Sequence, residues 1–177
     1  MKIAVNTRWL LHKKLEGIGN FSHNLLSRLV KNHPEVSFDF YFDRPFHDSF
    51  IYANNVSGFR LMPPARHPYL WYVWYEYSLK RRLNQTKPDL FFSPDGFIPT
   101  NGKTKTLNTI HDLNFEHNPE WVPNTVANYY KKFFPLCAEK ASHLITVSEF
   151  SKKDIVNTYG IDENKIDSFE YNIIDYL

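Results

Sequence analysis

Short apolar runs alternate with amphipathic stretches along this chain, and that rhythm predicts alternating strands and helices. Lys2–Asn6 is an apolar run that reads as a buried strand. After the polar stretch 7–16, Ile18, Phe21, Leu25 and Leu29 recur at three- and four-residue spacing, with Leu26 and Val30 beside them. This is an amphipathic helix, ending before Asn32-His33-Pro34. Val36, Phe38, Phe40 and Phe42 alternate with other residues and predict a second strand over 36–42. Residues 44–68 are irregular, broken by Pro45, Gly58, Pro63, Pro64 and Pro68, with one strand expected at 58–62. Residues 69–83 read as a helix with a nearly all-aromatic first half, stopped by Lys87-Pro88. A strand over 89–92 runs into the turn Ser93-Pro94-Asp95-Gly96, and 103–110 forms the next strand. A helix spans 122–141, with Pro135 expected to kink or split it. Residues 143–147 are a buried strand. Ser148 caps a helix over 149–159, closed by Gly160, and 165–169 is a last strand.

Strands that alternate with helices predict a Rossmann-like α/β domain, a mainly parallel sheet between two helical layers. No repeat, low-complexity tract or linker interrupts it, and 177 residues suffice for one domain with a real core. The net charge of +2, without a dense Lys/Arg block, argues against nucleic acid as a partner. Cys137 is the single cysteine, so neither an intramolecular disulfide nor a cysteine-based metal site is expected. The opening apolar run is too short for a signal core, and no run reaches the ~20 residues of a membrane span. A cytoplasmic protein is expected, with membrane contact at most peripheral at the inner face.

Candidate chemistry gathers where predicted strands end. Gly17-Ile18-Gly19 opens the first helix, where free N–H groups and the helix dipole suit a phosphate. A tight turn accounts for the same residues equally well. A dinucleotide fingerprint is a poor fit: Ser22 stands where a third glycine belongs, and residues 7–16 separate the strand from Gly17. Asp43 could imitate the ribose-binding acid of such sites. His111-Asp112 follows an apolar strand; His111 suits a sugar hydroxyl or proton movement, and Asp112 suits orienting the imidazole or capping the loop. Ser148 is explained by helix capping, with ligand binding as the lesser reading. The run Tyr69–Tyr77 reads first as a buried helix and second as an exposed aromatic patch for a lipid-linked acceptor or a partner. His111, His117, Asp112 and Glu116 share a loop, yet their spacing is not that of a metal site, and no Asp-x-Asp pattern occurs.

Taken in order, five segments resemble the N-terminal domain of glycosyltransferase family 4, whose members are two-domain retaining enzymes of GT-B architecture. These are Ile3-Ala4-Val5-Asn6-Thr7-Arg8, Gly17-Ile18-Gly19-Asn20-Phe21, Pro88-Asp89-Leu90-Phe91-Phe92-Ser93-Pro94, Thr109-Ile110-His111-Asp112-Leu113, and the stretch from Thr146-Val147-Ser148-Glu149 to Ile155. The likeness covers residues 1–166 and is nearest in flavour to bacterial mannosyltransferases that build surface polysaccharides. It implies that this domain holds a sugar or lipid-linked sugar acceptor, while a second domain holds the nucleotide of a GDP- or UDP-linked sugar donor. It implies a glycine loop (Gly17, Ile18, Gly19) near the donor phosphates, His111 beside the donor sugar with Asp112 next to it, no metal or other cofactor, and front-side transfer without a protein nucleophile.

The resemblance fades after Lys165-Ile166, where the family continues through a glycine turn into its second domain. Residues 167–177 form an atypical tail without glycine, and the nucleotide-binding domain is expected to be absent. The chain then reads as the acceptor-side half of a hexosyltransferase, inactive alone. Its alternative is a non-catalytic remnant, or a subunit that docks a separate second domain or a second copy. A small Rossmann-type nucleotide-binding protein is a third reading, disfavoured by the long stretch before Gly17.

Overall fold

A computed structural model describes residues 1–169 of the 177-residue chain. Seven strands form one sheet: β1 (Lys2–Asn6), β2 (Ser37–Phe42), β3 (Val56–Arg60), β4 (Leu90–Ser93), β5 (Thr106–Thr109), β6 (His143–Thr146) and β7 (Ile166–Ser168). Their order is β3-β2-β1-β4-β5-β6-β7 and every pairing is parallel. The chain builds outward from β1 to β3, then restarts at β4 on the other side of β1. The reversal lies between β1 and β4, and open parallel sheets bind ligands at the carboxyl ends of strands on either side of such a point.

The pleat sends neighbouring residues to opposite faces, and both faces are covered. Phe92 joins Val5, Phe38, Phe40 and Phe42 in one apolar cluster with Leu26 and Val30 of helix α1 (Gly17–Asn32). Phe91 joins Ala4 and Tyr41 in the other. There they meet a helical run made of α2 (Pro68–Val73), a π-helical segment (Trp74–Leu79) and α3 (Lys80–Thr86). Helices α5 (Asn124–Lys140) and α6 (Glu149–Tyr159) complete that layer through Phe134, Cys137, Ala138 and Ile155, and the short α4 (Asn114–His117) leads into α5. Two apolar clusters flanking one sheet make three layers. Among the described residues, no helix is long and apolar enough to cross a membrane.

Several sequence expectations shift. The third strand is Val56–Arg60 rather than 58–62, and the strand expected over 103–110 shortens to Thr106–Thr109. Pro135 does not split α5, which runs unbroken from Asn124 to Lys140. It removes one helical donor, whose acceptor belongs to Lys131 on the exposed side of the helix. The aromatic helix contains a π-helical turn, which the sequence did not suggest. Widening the helix there lets two successive large rings, Trp74 and Tyr75, both turn inward. Trp71 and Trp74 donate their indole N–H groups to the carbonyls of Ala65 and Leu61, so the run is mostly core. Tyr69, Tyr72 and Tyr77 remain on its exposed side. Residues 167–169 belong with the sheet: Asp167 and Ser168 lie in β7, and Phe169 donates its N–H to Thr146 O. The rest of the expected tail, 170–177, lies outside the described residues.

Candidate functional site

Polar residues emerge at the carboxyl ends of β1, β4 and β5, where the sheet reverses. Asn6 ends β1 and donates through Nδ2 to Ser93 Oγ (3.1 Å) at the end of β4 and to Tyr75 Oη (2.9 Å). Asp95 is the hub. It accepts from Tyr75 Oη (2.9 and 3.0 Å), Ser93 Oγ (3.0 Å) and the Phe97 N–H (3.3 Å), and pairs with Arg8 Nη2 at 3.3 Å. Both charged side chains are buried, 3% exposed for Arg8 and 0% for Asp95. The Arg8 guanidinium also lies 5.2–5.5 Å from the ring centroids of Trp9, Trp71 and Tyr75. Burial works against its charge, but Tyr75 and Asp95 outweigh burial and hold its pKa above the ordinary value. Burial, with Asp95 beside it, pushes the Tyr75 phenol well up despite the opposing pull of Arg8, so Tyr75 stays a hydrogen-bond donor.

This network supports the loop that meets His111. His111 Nε2 lies 2.9 Å from the carbonyl oxygen of Pro94, the residue next to Asp95. A carbonyl only accepts, so Nε2 carries a proton, and Nδ1 of the neutral ring keeps its lone pair. The ring packs edge-on against Phe21 of α1, centroid to centroid 4.8 Å. The first turn of α1 thus reaches the strand end that bears His111.

Of the sequence candidates, the structure brings together Gly17, Ile18, His111 and Asp112. Gly17 and His111 line one groove of about 800 Å³, with Phe21, Arg28 and Val147 among its other walls. Ile18, His111 and Asp112 line a smaller cavity of about 140 Å³ with Arg8, Trp9 and Thr109. Gly17 has φ +37°, the left-handed region that favours glycine, and Glu16 gives the helix no side-chain cap. Gly19 serves packing: a Cβ there would sit 2.7 Å from the Trp9 carbonyl oxygen, so glycine lets α1 press on the loop after β1. Asp112 accepts the Asn114 N–H (2.9 Å), which is the loop-capping role weighed for it. Ser148 stands apart as the cap of α6, accepting the Ser151 N–H at 3.1 Å. Asp43 is not placed as a ribose acid, because Arg44 grips both its oxygens (2.6 Å each) and the Ala65 N–H donates to it. The acid-histidine loop is dispersed as well: His117 pairs with Asp154 and Glu116 accepts from Tyr159. Among the described residues, no group of three or more His, Cys, Asp or Glu could hold a metal ion.

Sequence reasoning missed Asp95, Arg8 and Tyr75. Ser93-Pro94-Asp95-Gly96 looked like an ordinary turn, and Tyr75 was hidden in an aromatic run. The available signal was polar residues directly after two apolar strands, Asn6-Thr7-Arg8 and Ser93-Pro94-Asp95.

Comparison with known proteins settles the family. The model of Glycosyltransferase Family 4 matches residues 15–169. The chain belongs to glycosyltransferase family 4. It is similar to O-antigen chain mannosyltransferase B of Escherichia coli, 24% identical over 176 residues, covering 94% of this chain and 46% of that protein. Among solved structures, the apo form of the lipopolysaccharide outer core galactosyltransferase WaaB aligns with TM-score 0.58 and 12% identity. The alignment covers 94% of this chain and 44% of that one. The UDP-GlcNAc 2-epimerase of Neisseria meningitidis, bound to UDP-GlcNAc, aligns with TM-score 0.59 and 15% identity, covering 94% of this chain and 46% of that one. These structural likenesses concern the fold, which is that of the N-terminal half of a GT-B enzyme. The chain spans about half the length of the relatives it matches.

Proposed function

We propose that this chain is the acceptor-side half of a nucleotide-sugar-dependent hexosyltransferase, mannosyl transfer being the leading reading, serving polysaccharide or glycolipid synthesis. The observation that carries it is the convergence of the α1 N-terminus and His111 at the reversal of the sheet. In this reading Gly17, Ile18 and Gly19 approach the phosphates of a GDP- or UDP-linked donor, where the helix dipole favours negative charge. His111 meets the donor sugar through Nδ1, because Nε2 is committed to Pro94. Asp112 stands next to it. Ser148 contributes chiefly through α6, whose N-terminus it caps. A sugar or lipid-linked sugar is the acceptor, no metal takes part, and transfer retains configuration. A second domain supplies the nucleotide-binding wall, so the 177-residue chain turns over little or no donor by itself. Incubating it with GDP- and UDP-hexoses and following nucleotide release tests this: only background release is expected, and turnover at ordinary enzyme rates contradicts the half-enzyme reading.

A second reading, an interaction subunit, is favoured by Trp121 and Phe150, which follow β5 and β6 and are 67% and 80% exposed. They fit a surface that docks another domain or a second copy. Sedimentation of the pure chain reads this directly, through monomer or self-associated species.

A further inference from the structure

Helix α1 carries two apolar stripes. Leu26 and Val30 are buried against the sheet, while Phe21, Leu25 and Leu29, four residues apart, are half-buried and line the groove of about 800 Å³. On this side the α1 cluster extends across the sheet to Phe92 of β4 and the half-buried Leu107 of β5. Leu144 of β6 belongs to the opposite cluster, with Ile155 of α6. The pleat therefore turns its neighbour Ile145 towards the α1 side, where it is half-buried, and Val147 beyond it lines the groove. The chain itself arrives at this place. Phe169, directly after β7, lines the groove and is 46% exposed. Next in sequence come Glu170-Tyr171-Asn172-Ile173-Ile174-Asp175-Tyr176-Leu177, in which five of eight side chains are aromatic or aliphatic, two are acidic and none is basic. The groove has the opposite sign: its described lining holds Arg28, His33 and His111 and no carboxylate. His33 has Glu35 beside it at 3.3 Å, so Arg28 carries the permanent charge. The lengths agree as well. Gly17 and His33 line the groove from the two ends of α1, whose 16 residues span about 24 Å. Eight residues reach at most roughly 26–29 Å.

We propose that the groove is the docking site of the chain's own segment 170–177, which packs its apolar side chains on Leu25, Leu29 and Val147 and sets its acidic groups towards Arg28. A segment tethered at Phe169 is present at an effective concentration in the millimolar range, which favours it over a second copy at micromolar concentration. The docked segment covers apolar surface that would otherwise promote self-association. The proposal goes beyond the glycosyltransferase reading and does not depend on it.

Nuclear Overhauser contacts in the 177-residue chain, labelled with ¹³C and ¹⁵N, test it directly. Contacts are expected between the methyl groups of Leu25, Leu29 or Val147 and the side chains of Tyr171, Ile173, Ile174 or Tyr176. The double variant Ile173→Asp/Ile174→Asp should abolish them and shift those three methyl resonances. Both substitutions lie beyond β7, and unchanged methyl resonances of Val5 and Ile155 on the two sides of the sheet would show the fold intact. Arg28→Glu should lower the ratio of docked to free segment about 2- to 5-fold, the range of an exposed ion pair. Absence of the contacts in the unsubstituted chain would overturn the proposal and leave the groove to water. Contacts that survive Ile173→Asp/Ile174→Asp would overturn its apolar basis. A sample mixing labelled and unlabelled chains separates the remaining occupant: contacts seen only between chains would give the groove to a second copy and overturn the proposal.

Discussion

Removing Arg8 or Asp95 singly should be costly, and removing both should cost much less than the sum. The two groups are 3.3 Å apart with 3% and 0% side-chain exposure. At an effective dielectric of about 20, unit charges at that separation attract by roughly 5 kcal/mol. Burying each ion costs several kcal/mol, so the pair nets little; a survivor left alone keeps its burial cost and loses the attraction. Arg8→Met should therefore destabilise the chain by about 3–5 kcal/mol. Asp95→Asn keeps an oxygen for Tyr75 and the Phe97 N–H, and its cost should fall at the lower end of that range. In the double variant the unpaired charge is gone, and the coupling energy should be about 2 kcal/mol or more. Urea unfolding followed by tryptophan fluorescence measures all four proteins, urea being chosen because it does not screen charge. Costs that add to within about 0.5 kcal/mol would show the two groups to be independent and refute the reasoning.

Gly19→Ala sets a helix-propensity gain of about 1 kcal/mol against an overpacking cost of about 1–3 kcal/mol from a Cβ 2.7 Å from the Trp9 carbonyl. A net loss of up to about 2 kcal/mol is expected in urea unfolding, and a stabilised variant would show that α1 can move. Ser148→Ala should cost about 1 kcal/mol through the lost α6 cap, read as a lower urea midpoint. Burial pushes the Cys137 thiol up to about 12 from an ordinary value of 9.0. The stability it contributes is complete below pH ~9 and disappears as pH rises towards ~12, because the unfolded thiol ionises first. At pH 8 a thiol reagent should react quickly with the urea-unfolded chain and hardly with the native one; equal rates would place Cys137 at the surface.

The layered architecture was legible because its strands are short apolar runs and its helices carry apolar stripes. The doubled apolar clusters explain why β2 alternated only in part: Phe38, Phe40 and Phe42 serve one face, and Tyr41 serves the other. The π-helical turn at Trp74–Leu79 was not legible, since it arises from fitting Trp74 and Tyr75 into a layer that the sequence does not display. Strand ends were off by a few residues where no turn residue marked them, as at Thr106. Gly17, Ile18, His111 and Asp112 could be found by their place after strands. The buried network behind them could not, because Arg8, Tyr75 and Asp95 are far apart in sequence and meet only through the reversal of the sheet. A charged residue next to a strand end reads as solvent-facing until its partner is known.

The central claim is that the turn entering α1 and His111 form one wall of a donor cleft. Its most direct test is a ¹H–¹⁵N titration of the chain with GDP- and UDP-hexoses, repeated with His111→Ala. The account predicts that a nucleotide sugar shifts the Gly17, Ile18 and Gly19 amides together with His111, and that the response weakens in the variant. Shifts confined to other surfaces, or an undiminished response in His111→Ala, would contradict it.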